Sequence, residues 1–133
     1  MKGYVDNIEQ VTVANEDVRR VLYTGKHLQL VLMTLQPGEE IGEDVHEDRD
    51  QFFRVEEGRG EGRIDGVANP VEDDFAGIVP AGARHNVVNT GYAPLRLYTL
   101  YGPPEHKDGV VHTDKAQAER DHDNDHWDGE TSE

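Results

Sequence analysis

Four side chains able to ligate a metal fall in two stretches of this 133-residue sequence. Asp44 and His46 alternate, so on a strand both leave the same face, and Gln51 follows a short turn later. His85 opens a second apolar stretch that can face them. Two imidazoles, a carboxylate and an amide directed at one point are the outline of a metal site. Asp44, His46 and His85 alone form a two-histidine, one-carboxylate set that suits non-haem iron(II), and zinc, manganese, nickel or copper can use the same donors. Gln51 is a weak neutral donor: it can ligate directly, hold a metal-bound water, or hydrogen-bond a ligand. The sequence contains no cysteine, so a divalent ion must be held by nitrogen and oxygen.

Strands are needed to position these groups. Alternating apolar and polar residues, punctuated by Gly, Pro, Asn and Asp, predict them near 18–24, 27–35, 40–46, 51–57, 60–65, 75–79, 85–90 and 94–101. That spacing predicts an antiparallel sandwich or barrel. The segment 7–17 reads as a short strand followed by a helical turn from Asn15. Period two puts Phe53 and Val55 beside Gln51, and Val87 and Asn89 beside His85. On the last strand Leu95, Leu97, Thr99 and Tyr101 alternate with Arg96, Tyr98 and Leu100, and either Tyr98 or Tyr101 can offer a hydroxyl. The expected ligand pocket is therefore Phe53, Val87, Asn89, Tyr98 and Tyr101. Arg54 and Arg84 flank the metal-ligand positions as counter-charges for an acidic substrate, although alternation turns Arg54 outward towards Glu56 or Asp50. Near-continuous apolarity over 27–35 implies burial on both faces, against a second sheet and a subunit partner, and sheet edges buried on one another imply a homodimer.

The spacing of these residues resembles the two half-motifs of the cupin superfamily. From Gly38, five residues lead to Asp44 in the place of the first His of His-x-His; His46 takes the second, Gln51 the Glu position, and Gly58 closes the motif. Pro80, Gly82, His85 and Asn89 reproduce the second half-motif, with Asp74 where its leading Gly would stand. The resemblance spans about residues 18 to 103. It implies an all-β fold, a double-stranded β-helix or jelly-roll barrel with a short C-terminal helical segment, and a ligand set of Asp44, His46, Gln51 and His85 in which three His and one Glu become two His, one Asp and one Gln. The implied division is an N-terminal arm over 1–17, a barrel over 18–104 and an extension over 105–133. Small chains of this pattern are also similar to proteins called mannose-6-phosphate-isomerase-like, which brings in sugar isomerisation.

Charge narrows the partners. There are 28 acidic residues against 13 basic ones, a formal net of -15, and only four of the basic residues are Lys. Such a surface repels nucleic acid and anionic lipid. It resembles proteins adapted to a salt-rich cytoplasm, where charge repulsion is screened. The N-terminus has no apolar run behind a basic start, and no stretch reaches the length of a membrane span, so a soluble cytoplasmic protein is expected. Glu105 to Gly109, after Pro103-Pro104, with His112 beyond it, reads as an excursion at the barrel mouth, a solvated loop in preference to a lid over the opening. A short helix is expected from Lys115 to Arg120. Residues 117 to 133 carry seven acidic side chains and one Arg, and should be disordered unless Trp127 docks, with His122 and His126 in solvent.

Fold alone selects no function. The leading expectation is a metal-dependent enzyme of isomerase or dioxygenase type acting on a small polar molecule, such as a sugar derivative. The alternatives are a barrel that binds a small ligand without catalysis and a metal-free structural barrel.

Overall fold

A computed structural model describes residues 1–133. Ten strands form two facing antiparallel sheets, β1 (Arg19–Thr24), β2 (Gln29–Leu35), β3 (Asp44–Val45), β4 (Asp50–Glu57), β5 (Arg59–Ile64), β6 (Val67–Glu72), β7 (Ala76–Val79), β8 (Arg84–Val88), β9 (Leu95–Gly102) and β10 (Val111–His112). The order is β10-β1-β2-β9-β4-β7 in one sheet and β3-β8-β5-β6 in the other. This is a jelly-roll barrel, as expected. No helix is long and apolar enough to cross a membrane.

Alternation determines what fills the space between the sheets. Gln51, Phe53 and Val55 of β4 point inward with Leu95, Leu97, Thr99 and Tyr101 of β9, and with Val31, Met33 and Leu35 of β2. The Phe53 ring lies over Gly62 and Gly77; a Cβ at Gly77 would stand 2.5 Å from its ring carbons. Two glycines thus make room for one aromatic, and Phe53 belongs to the core. On the outer face Ile78, Phe52, Leu100 and Leu30 are direct cross-strand neighbours across β7, β4, β9 and β2.

Three local predictions differ from the structure. Residues 7–17 contain a helix, α1 (Ile8–Ala14), in place of a strand. Asn7 caps it by accepting the Gln10 amide, and Asn15 anchors it to Thr34 on the outer face of β2. The stretch 40–46 shrinks to a bridge at Glu40 and the two-residue β3. A strand not expected, β6, runs through Pro70, which is tolerated because β6 is a sheet edge, and the two-residue Asp65-Gly66 turn, φ 47° and 82°, joins it to β5. Asp74, in place of a glycine, itself takes a left-handed φ of 71°.

The largest difference is the C-terminal extension, which is ordered against the barrel. Strand β10 pairs with β1, α2 (Lys115–Arg120) follows, and a 3-10 turn over His122–Asn124 leads to Asp125, which is 3 % exposed. Trp127 donates its backbone N–H to the Glu105 carbonyl, 2.9 Å, beside an isolated bridge between His106 and His126. Ser132 reaches Thr24, and the Glu133 carboxylate accepts the amides of Lys2 and Gly3. The expected solvated loop is exposed at Lys107, Asp108 and Gly109 but buries its first two residues, Glu105 and His106, and His112 beyond it is 1 % exposed.

Candidate metal centre

A cavity of about 160 Å³ opens at one end of the barrel. Asp44, His46, Gln51, His85 and Tyr101 line it together with Arg19, Glu105, His106, His122, Asp125 and His126. Asp44 pairs with His85 across β3 and β8, and Gln51 comes from the opposite sheet, so both sheets supply donors. Of the pocket expected from sequence, only Tyr101 is in the wall. Phe53 and Val87 are buried in the core. Asn89 ties down the backbone, donating to the Leu35 and Ala93 carbonyls and accepting the Gly91 amide. Tyr98 points to the outer face, its ring 6.2 Å from that of Phe52. Arg54 pairs outside with Glu56 and Asp74, and Arg84 with Glu43.

The imidazoles of His46 and His85 are 5.0 Å apart between ring centroids. His85 Nδ1 is 3.2 Å from the Ala83 carbonyl, and His46 Nδ1 is 3.5 Å from Glu105 Oε2. The carbonyl acceptor at His85 Nδ1 keeps the proton there and leaves the Nε2 lone pair free, the usual outer support of a metal-binding histidine, while at His46 the Glu105 carboxylate is within ion-pair reach of Nδ1 without forming a hydrogen bond. Gln51 donates Nε2 to Thr99 Oγ1 at 3.1 Å and to Tyr101 Oη at 3.4 Å, while its buried Oε1 has no partner.

These donors fit a divalent ion in part. Two imidazoles sharing one ion at ~2.1 Å, near the tetrahedral angle, have ring centres about 5 Å apart, the separation of His46 and His85. The unpartnered Gln51 oxygen is a third donor. No three His, Asp or Glu side chains gather closely enough to enclose an ion, and Asp44 is exposed at the rim. The wall itself is acidic, Glu43, Asp44, Glu105 and Asp125 against Arg19, and so favours a cation.

Burial lowers the pKa of His46, with Glu105 opposing it, and that of His106, with Asp125 opposing it. Burial pushes the Tyr101 phenol up to about 12. For Asp125, burial works to raise the carboxyl, but His106 and Arg19 outweigh it and hold the group below its ordinary value. Asp125 Oδ2 is 3.3 Å from His106 Nδ1, within ion-pair reach but without the alignment of a hydrogen bond. Apart from Thr12 Oγ1, the buried side-chain polar atoms lacking a partner are Arg19 Nε, Gln51 Oε1 and both His106 nitrogens, all on residues of this cavity. Unpaired buried groups cost about 1–3 kcal/mol each, and their concentration here is what a site for a polar ligand would require.

Sequence reasoning missed Arg19, Glu105, His106 and Asp125. The available signal was four of the seven histidines beyond residue 105, with Glu105-His106 directly after the Pro103-Pro104 pair that ends the sheet.

Residues 31–101 match the family model described as a Cupin domain. The chain is 46% identical over 123 residues to YrkC of Bacillus subtilis, covering 88% of this chain and 66% of that protein, just under two thirds of its length. It is 34% identical over 119 residues to L612 of Acanthamoeba polyphaga mimivirus, covering 86% and 74%. The crystal structure of BH2720 from Bacillus halodurans superposes with a TM-score of 0.88 at 47% identity, over 90% of this chain and 95% of the other.

Proposed function

The chain belongs to the cupin family, and from that premise we propose that it binds a divalent metal ion through His46, His85 and Gln51, with Asp44 at the rim, and acts as a metal-dependent enzyme on a small polar molecule. The observation that carries this reading is the imidazole pair at 5.0 Å, with His85 Nδ1 bonded to the Ala83 carbonyl and His46 Nδ1 turned towards the Glu105 carboxyl at 3.5 Å. A bound ion would supply Lewis acidity towards a carbonyl or hydroxyl oxygen. The chain's own groups orient the ligand: the Tyr101 phenol stays protonated and can donate, Gln51 is held by Thr99, and burial of His106 at the wall favours its uncharged imidazole. A cavity of about 160 Å³ limits the ligand to a few carbon atoms, a small sugar derivative being one such molecule.

Elemental analysis of protein purified without chelator or affinity metal tests the ion, and stoichiometric metal is expected. Turnover by iron, manganese and zinc forms then separates the reaction types, because redox-inactive zinc supports isomerisation and not oxygen chemistry. Metal without turnover in every form would assign a binding role instead. We also propose a homodimer, formed on the apolar row of Ile78, Phe52, Leu100 and Leu30, where Ile78 is 67% exposed.

A further inference from the structure

Glu105 lies outside both half-motifs, yet it is the hub of the cavity wall. Its side chain is almost fully enclosed, and Oε2 accepts from Arg49 Nη1 at 2.6 Å. The same oxygen is 3.5 Å from His46 Nδ1, and Oε1 is 3.7 Å from His126 Nδ1. The backbone is fixed as tightly: the Glu105 amide donates to Gln29 Oε1 at 3.1 Å, and its carbonyl accepts Trp127 N–H at 2.9 Å. Arg49 is anchored in turn by Asp48 and the Pro104 carbonyl. A carboxyl group held so firmly by a guanidinium presents a fixed oxygen to one ring nitrogen of His46.

We propose that Glu105 is a positioning residue that sets the tautomer of His46, holding the proton on Nδ1 so that the Nε2 lone pair faces the metal centre. This rests on the metal reading for its purpose but not for its geometry. A neutral histidine in water prefers its proton on Nε2, but a carboxylate oxygen 3.5 Å from His46 Nδ1 attracts a proton there and repels a lone pair, which favours the opposite form. Glu105 is the carboxyl group within ion-pair distance of His46 Nδ1, whereas His85 is served by a backbone carbonyl that substitution cannot remove.

The test is nitrogen-15 NMR of the imidazoles in metal-free protein at a pH where both histidines are neutral, with chelator competition for zinc run on the same samples. Wild type is expected to show His46 protonated on Nδ1. Glu105→Ala should move that proton to Nε2, and Glu105→Gln, whose amide oxygen still accepts, should keep it on Nδ1. Zinc affinity should fall about 10- to 100-fold in Glu105→Ala, the usual effect of losing such a partner, and less in Glu105→Gln. His85 should keep its tautomer throughout. Wild-type His46 carrying its proton on Nε2 would overturn the proposal even if the Ala variant fails to fold, as would a folded Ala variant with an unchanged tautomer. If the tautomers behave as stated but wild type takes up no zinc, the role of Glu105 stands and the metal reading falls.

Discussion

The carbonyl of His46 accepts the amide hydrogen of Gly82 at 2.8 Å, which joins the two stretches that carry the imidazoles. Asp50 adds a second tie, its carboxylate accepting the Ala81 amide at 2.8 Å. The backbone thus brings the histidine pair together independently of any ion. His46→Ala and His85→Ala should each abolish stoichiometric metal, while Gln51→Ala should retain a reduced fraction, as read by elemental analysis. Both histidine variants should keep a cooperative melt, because the ties between the stretches are backbone and Asp50 groups. Full metal content in all three variants would remove the assignment.

Acid should weaken the fold through His106. Burial lowers its pKa from 6.5, so below that value the unfolded chain takes up a proton that the folded chain resists. Its contribution is complete above the ordinary imidazole value and is lost as pH falls towards the depressed one. Melting temperature should therefore drop on going from neutral pH to below about 6, and His106→Gln should flatten part of that slope. An unchanged slope in the variant would show that other groups control it.

Packing around Phe53 gives a stability prediction remote from the cavity. Gly77→Ala should cost about 1–3 kcal/mol by overpacking, since the new carbon would meet the ring at 2.5 Å. Phe53→Leu in the same chain should recover part of the loss. A double-mutant cycle in urea measures the coupling, and simple additivity would contradict the contact.

The association proposal has a direct check. Sedimentation should show a dimer, and Ile78→Glu should convert it to monomer without lowering the melting temperature of the isolated chain, because Ile78 is already mostly exposed. A dimer that survives the charge must use another face.

A net charge of -15 gives the last prediction. If this surface suits a salt-rich interior, melting temperature should climb by several degrees as salt rises from ~0.1 M to ~1 M, where the Debye length contracts from about 10 Å to about 3 Å. A flat response would make the acidity a matter of solubility alone.

Alternation made the barrel legible in the sequence. The inward row from Gln51 to Val55 and the row from Leu95 to Tyr101 follow from period two, and the turn glycines mark where strands stop. The same rule could not choose between Tyr98 and Tyr101, because it shows that two residues lie on opposite faces and not which face is inside. Short elements were lost where tertiary context decides: α1 forms on seven residues because Thr12 is fully buried against the barrel and Asn15 bonds to Thr34 of β2, and β6 forms although Asn69-Pro70 disfavours it. The cavity was half legible. Motif spacing reached the donors, but Glu105, His106 and Asp125 meet them only through the path of a segment whose composition reads as solvated.

That segment is held differently from the other walls of the cavity. The sheets close theirs with continuous ladders, whereas residues 122 to 133 are fastened by one isolated bridge and a few single contacts such as Trp127 to Glu105 and Ser132 to Thr24. Local opening costs least where the fewest bonds must break together. The chamber is therefore least firmly closed on this side, where its wall can lift away without any strand of the roll leaving its neighbours.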